Sequence, residues 1–357
     1  MFKIDNTPAI EAHRKALEIT FAPMIFQAVR VMIKKGIFAH LREVGRAGAT
    51  PQEVAEATGV SFYGARVLMQ SGLSAGVLYL TNDEDRFALT KVGIFLLNDQ
   101  MPKVNMDFVH DVCYNGMFYL DECIDTGKPV GLKVFGEWPT IYKGLSSLPE
   151  QVQESWFNFD HYYSDISFPR AMEYIVENNP VHILDIGGNT GKFCRVALER
   201  LPNVHVTIAD LPEQIVLAKK ELAAKGVDLS RVHFQPINIL DEAQQLEGKF
   251  DVIWMSQFLD CFSDDTIVAI LNRCRKHLTS DGHVYVQEEF WDRQWHEAGA
   301  VVLQQLSLYF TTMANGCSQM YDFKTFSGLI DRAGYEVEEL KDRDVINVSL
   351  LKLKPTA

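Results

Sequence analysis

One short stretch concentrates residues able to hold a small ligand: Ile183 to Phe193, reading ILDIGGNTGKF. An apolar run carries Asp185 and leads into Gly187, Gly188 and Gly191, after which a helical pattern begins. Glycines let the chain turn tightly and let a ligand approach the backbone. In an alternating strand and helix fold, the first strand-to-helix turn is where nucleotide-like ligands sit. Asp210 closes the next apolar run, where a carboxylate can accept hydrogen bonds from ribose hydroxyls. A dinucleotide fingerprint has the spacing G-x-G-x-x-G. Here the spacing is GGNTG, with an acidic residue two positions before the first glycine. A carboxylate there suits a cationic amino group better than a pyrophosphate. S-adenosylmethionine (SAM) carries an ammonium and a sulfonium, so SAM is the expected cofactor and NAD is disfavoured.

A second concentration is aromatic. Residues 154–168 read ESWFNFDHYYSDISF, with Trp156, Asn158, His161, Tyr162 and Phe168 as candidate liners of a substrate cavity. Aromatic clusters more often form core, but polar residues are interleaved throughout, among them Asp160 and Asp165. His110 is a further candidate liner.

These groups need elements to position them. Residues 8–42 have helical apolar spacing, with Pro23 expected to kink or divide the stretch. Thr50 and Glu53 form a capping-box pattern, with Pro51 in the first turn and Gly59 at the end. A second helix is expected over Ser61 to Leu73, and then a hairpin around Asn82 to Asp85. Helix, turn, helix and hairpin make a winged-helix pattern. From His182 onward, strands and helices alternate: HILDIG, VHVTIAD, VHFQPIN, FDVIWMSQ and HVYVQEEF as strands, with helices at Lys192 to Leu201, Pro212 to Gly226 and Asp264 to Leu278. Two further helices cover roughly 297–333, and EVEELKDR with INVSLLKLK should close the fold as an antiparallel pair at a mixed edge. The fold class is therefore α/β: a Rossmann-like, mostly parallel seven-stranded sheet preceded by a mostly helical domain. The expected domains are 1–107 and 108–357, with 108–175 as a helical substrate-lining segment and 176–357 as the core.

Composition narrows the function. The 357 residues suggest two domains at ~150 residues each. The formal net charge of -13 argues against sequence-independent binding of nucleic acid. The would-be recognition helix carries only Arg66, so a DNA-binding regulator is a minor alternative. There is no basic start followed by an apolar stretch, and no run is expected to approach the ~18 apolar residues of a membrane span. Six cysteines without C-x-x-C pairs read as reduced thiols in a cytoplasmic protein. Asp264 and Asp265 open a helix, where acidic residues are stabilising, so no metal is expected.

The chain resembles SAM-dependent O-methyltransferases of the plant caffeate and hydroxyindole type and their bacterial relatives. The resemblance covers nearly the whole chain. The family's D-x-G-G-G-x-G corresponds to Asp185-Ile186-Gly187-Gly188-Asn189-Thr190-Gly191, its D-L-P to Asp210-Leu211-Pro212, and its G-D to Ile237-Asn238. Its L-H-D-W-S-D corresponds to Leu259-Asp260-Cys261-Phe262-Ser263-Asp264, its A-G-F to Ala333-Gly334-Tyr335, and its pocket F-N to Phe157-Asn158. The resemblance implies a homodimer joined through the N-terminal domain, a SAM cofactor and an aromatic hydroxyl as methyl acceptor. The candidate cofactor set is Asp185, Gly187, Gly188, Gly191, Asp210, Leu211, Asn238 and Ser256.

The family's catalytic His is Asp260 here. One glutamate that orients that His is kept as Glu288, while the second would fall near Gln319 or Met320. An Asp of pKa ~3.9 is a feeble base towards a phenol of pKa ~10. A neighbouring carboxylate would raise it. Three readings follow: Asp260 beside Glu288 is a base of raised pKa, His161 is the base, or the acceptor arrives already ionised. A fourth is that SAM binding is kept while the chemistry has become hydroxylation or decarboxylation.

Overall fold

The computed structural model describes residues 4–82, 85–164, 167–345 and 348–356. Asp83 and Glu84 of the expected hairpin turn lie outside the described residues. So do Asp165 and Ile166 of the aromatic stretch, and Ile346 and Asn347 of the last expected strand. The chain divides into two compact units, 1–109 and 110–357, where a boundary between 107 and 108 was expected.

The first unit is mostly helical: α1 Ala9–Lys34, α2 Ile37–Val44, α3 Pro51–Thr58, α4 Phe62–Ser74, α5 Lys91–Asn98 and α6 Gln100–Phe108. Strands β1 Leu78–Leu80 and β2 Phe87–Leu89 pair antiparallel. The capping box at α3 is complete. The Thr50 hydroxyl accepts from the Glu53 N–H, and the Glu53 carboxylate accepts from the Thr50 N–H. Gly59 ends the helix in the left-handed region. At α1 the expected division at Pro23 does not occur, and the expected absence of a long apolar run fails. The helix runs unbroken through Pro23 and ends only before Gly36. Proline removes the hydrogen bond to the carbonyl of Ile19, but Ile19 is 77% exposed, so water can take that carbonyl. The helix also holds an 18-residue window apolar enough, by length and composition, to cross a membrane, and only 11% of that window is buried. Gln27 and Arg30 interrupt the sequence without making the window polar.

The second unit begins with short helices, α7 Leu120–Thr126, α8 Ile141–Gly144, α9 Glu150–Ser164 and α10 Phe168–Ile175. The alternating part follows: β3 His182–Ile186, α11 Lys192–Arg200, β4 His205–Asp210, α12 Pro212–Ala224, β5 Val232–Pro236, β6 Phe250–Ser256, α13 Asp264–Arg275, β7 Leu278–Glu288, α14 Glu297–Tyr309, α15 Phe323–Arg332, β8 Tyr335–Val345 and β9 Val348–Pro355. The seven strands are ordered β5-β4-β3-β6-β7-β9-β8. Two corrections arise here. Leu278 belongs to a strand rather than to the helix before it, because it pairs with Phe250 ahead of a bulge. The last two strands do form the expected antiparallel pair at one edge, but the outermost strand is β8, and β9, antiparallel to β7 as well, lies inside the sheet between them.

Period-two alternation assigns the faces. Leu184, Ile186, Ile253, Met255, Val284 and Val286 pack in one core with residues of α13 and α15. Ile183, Val252, Trp254 and Tyr285 point the other way, into a core with α10, α11 and α12. Asp185 shares that second face by register. The chain leaves β3 outward to β4 and β5, then returns to the other side of β3 with β6. This reversal opens a crevice beyond the carboxyl ends of β3 and β6, the place where such sheets bind ligands.

Candidate active site

The crevice is lined by Asp160, His161, Phe168, Asp185, Gly187, Gly188, Asn189, Thr190, Lys192, Phe193, Trp254, Ser256 and Gln257. Gly187 and Gly191 have φ of 74° and 78°, and Asn189 between them has φ of 46°. A Cβ on Gly187 would sit 2.4 Å from the Phe258 ring. One on Gly188 would sit 2.7 Å from Asp185 Oδ2, and one on Gly191 2.8 Å from Leu222. The glycines are thus required both by the turn and by close packing behind it. Asn189 replaces a family glycine at a positive φ, which Asn tolerates better than most residues.

Asp185 is 2% exposed, and its Oδ2 has no hydrogen-bond partner. Burial, reinforced by Asp210, pushes its carboxyl up to about 8. Asp210 accepts from the N–H of Asn189 at 2.9 Å and from that of Leu211 at 2.7 Å, which ties the glycine turn to the end of β4. Burial raises its carboxyl, and those two bonds oppose the shift. Asn238 lies just past β5. Its Oδ1 accepts from the Leu240 N–H, and its backbone N–H donates to Gln244. The Ser256 hydroxyl accepts from Gln287, which also donates to Ser167. Phe168, Phe193 and Trp254 form an aromatic floor, with Phe193 stacked on Trp254 at 4.3 Å between centroids. The residues present fit SAM: a buried carboxylate oxygen without a partner suits its ammonium, and a side-chain-free turn leaves room for it.

A second group lies around the loop after β6. Asp260 is 6% exposed, with Oδ1 lacking a partner. Burial pushes its carboxyl up to about 7, and Asp160 adds to the shift. Glu288, at the end of β7, accepts from the N–H groups of Phe258 and Leu259 at 3.1 and 2.9 Å. It therefore pins the loop that carries Asp260. Its second oxygen, Oε2, has no partner, and burial together with Asp260 holds its carboxyl well above the usual range. Glu289 is also buried. Burial and Asp260 raise it to about 8. Sequence reasoning missed Glu289, although the Glu-Glu doublet at the carboxyl end of a sheet strand was a readable signal.

Aromatic hydroxyls surround these acids. Tyr142 donates to the Cys261 thiol at 3.3 Å, and the Trp156 indole donates to the Tyr309 hydroxyl at 2.8 Å. Asn315 holds the Cys261 carbonyl at 2.7 Å. Tyr309 directly precedes a wide π turn at Phe310–Ala314, a local irregularity common at functional sites. Of the candidate liners, His161 and Phe168 line the crevice, and Trp156 joins the Tyr309 group. Tyr162 packs edge-on against Tyr163, and the His110 ring lies 6.3 Å from Tyr114. Asn158 is exposed and does not line the crevice. Gln319 is exposed and Met320 buried, so neither replaces the second family glutamate. No group of three or more metal-ligating side chains comes together among the described residues.

Comparison with known proteins agrees with this arrangement. Residues 13–87 match the Dimerisation2-like domain, and residues 184–284 match a methyltransferase domain. The chain is 23% identical over 348 residues to 3-amino-4-hydroxybenzoate 4-O-methyltransferase of Streptomyces cremeus, covering 92% of this chain and 87% of that protein. Its fold is shared with mitomycin 7-O-methyltransferase MmcR, with TM-score 0.70, 19% identity and coverage of 97% and 98%. It is shared too with human N-acetylserotonin methyltransferase in complex with SAM, with TM-score 0.65, 15% identity and coverage of 99% and 100%. The chain thus joins a Dimerisation2-like domain to a methyltransferase domain, and over nearly its whole length it is similar to SAM-dependent O-methyltransferases.

Proposed function

We propose that this enzyme methylates a hydroxyl group on a small aromatic molecule, with Asp260 as general base. The observation that carries this reading is the buried acid group at the position of the family histidine. When bound, SAM supplies an electrophilic methyl group on a sulfonium. Asp185, the glycine turn, Asp210, Leu211, Asn238 and Ser256 would hold it. Alignment of nucleophile and methyl group supplies much of the barrier lowering. A neutral hydroxyl still benefits from a base. Asp260 raised to about 7 is far better matched to a phenolic proton than an ordinary carboxylate. Glu288 is a positioning residue through its two backbone bonds to the loop. A role for His161 is the second reading, supported by its place in the crevice.

The first unit acts as a winged-helix-like dimerisation domain in this reading. Supporting this, Ile10, Ile19 and Met24 of α1 are 81%, 77% and 70% exposed, an apolar surface that a second copy would cover. Six free cysteines support a reducing compartment, the cytoplasm. Neither nucleic acid nor a membrane is needed as partner. Calorimetric titration with S-adenosylhomocysteine should give micromolar binding. Sedimentation should then give a dimer, and a screen of phenols and hydroxyquinones should give methyl transfer. Absence of binding would remove the cofactor and return a NAD-dependent or non-catalytic role.

A further inference from the structure

Lys192 stands where local electrostatics disfavour it. It is the first residue of α11, a nine-residue helix whose N-cap Gly191 provides no side-chain hydrogen bond. The positive end of a helix repels a cation. The first turn also lacks an acidic residue that would offset the charge. A locally unfavourable choice inside a binding crevice points to a functional reason. Lys192 is also the sole lysine or arginine among the residues lining the crevice. Its Nζ lies 3.1 Å from Nδ1 of His161. A lysine ammonium only donates, so the histidine Nδ1 accepts and the ring proton sits on Nε2.

On the same crevice, Asp185 Oδ2 is buried without a hydrogen-bond partner. The crevice therefore presents the buried Asp185 carboxyl before the glycine turn and the Lys192 ammonium after it, with the half-buried Asp160 4.0 Å from His161. The amino-acid end of SAM is a zwitterion of matching pattern. We propose that Lys192 holds the carboxylate of the cofactor's amino-acid end, while Asp185 takes its ammonium. The helix N-terminus that opposes the lysine favours that same carboxylate, because its N–H groups point at an anion. His161 then serves as the acceptor that parks Lys192 when the carboxylate is absent. The proposal rests on the SAM reading of the crevice and adds to it a role for Lys192.

The test uses two cofactor analogues in calorimetric titrations of the full-length protein: S-adenosylhomocysteine, and S-adenosyl-3-thiopropylamine, which keeps the ammonium but lacks the carboxylate. Wild type should prefer the first by at least tenfold. Lys192→Met should weaken S-adenosylhomocysteine binding by about that factor and leave the decarboxylated analogue within twofold. Lys192→Arg should restore most of the preference. Unliganded Lys192→Met should melt no lower than wild type by circular dichroism, since it relieves a charge at a helix N-terminus. Equal affinity of wild type for both analogues overturns the proposal and leaves the cofactor assignment intact. So does an equal loss for both in Lys192→Met, the signature of a purely structural lysine. Failure of wild type to bind either analogue overturns the cofactor reading, and this proposal with it.

Discussion

The cofactor end and the proposed acceptor end of this unit are built from different materials. The cofactor end is mostly backbone: one glycine turn after β3, fixed by Asp210 through the N–H groups of Asn189 and Leu211. The acceptor end is mostly side chain. Asp260, Glu288 and Glu289 meet Tyr142, Trp156, Cys261 and Tyr309, drawn from segments far apart in the sequence. A backbone turn has few solutions, and this one departs from the motif it resembles at Asn189 alone. A side-chain cluster can be rebuilt, and here an aspartate sits inside a group of acids where the motif it resembles has a histidine.

The sharpest way to break this contrast is Asp260→Asn. If the acceptor end supplies the base, kcat should fall at least ~100-fold while S-adenosylhomocysteine affinity stays unchanged. The base works ionised. With its carboxyl near 7, the wild-type rate should rise with pH through neutrality and level off above it, and the variant should lose that limb. The same raised carboxyl implies the opposite trend in stability. Asp260 contributes stability at low pH that is lost as pH rises through about 7, so the variant should melt no lower than wild type at pH 8. An unchanged kcat would move the base to His161 or to an already ionised acceptor.

Next in size is Asp210→Ala at the cofactor end. Titration should show at least a tenfold loss of S-adenosylhomocysteine affinity, ~1.4 kcal/mol. A smaller loss would mean that the glycine turn holds its shape without this anchor.

The smallest effect is a proton count. The Asp185 carboxyl is raised to about 8, so it is mostly protonated at pH 7 without a partner. An ammonium beside it draws it down. Binding at pH 7 should therefore release about one proton, seen as a difference in titration enthalpy between phosphate and Tris buffers. Asp185→Asn should remove that difference. If it persists, the proton comes from the acceptor end.

The sequence made the cofactor end legible because its signals are contiguous: a strand pattern, three glycines and two strand-end acids. The alternation from His182 onward, read by period, likewise predicted the sheet and most of its helices. The acceptor end was only partly legible. Asp260 and Glu288 came from the resemblance. Tyr142, Tyr309 and Asn315 had no local mark, since tertiary packing alone brings them to the loop after β6. Glu289 was visible but passed over. The uninterrupted α1 defied a sound local rule because solvent can satisfy the carbonyl that Pro23 leaves. The inserted position of β9 could not be read, because antiparallel pairing with β8 is local while pairing with β7 is not.

That inserted strand also has a consequence for how the protein is made. Chains fold in order of synthesis, domain by domain. Strand β9 is the last of the seven to be synthesised, yet it fills a gap between two others. Until Val348–Pro355 emerges, β7 presents an open edge flanked by apolar faces, a template for unwanted strand pairing. The nascent second unit therefore passes through an interval of aggregation risk that the helical first unit, already complete, does not share.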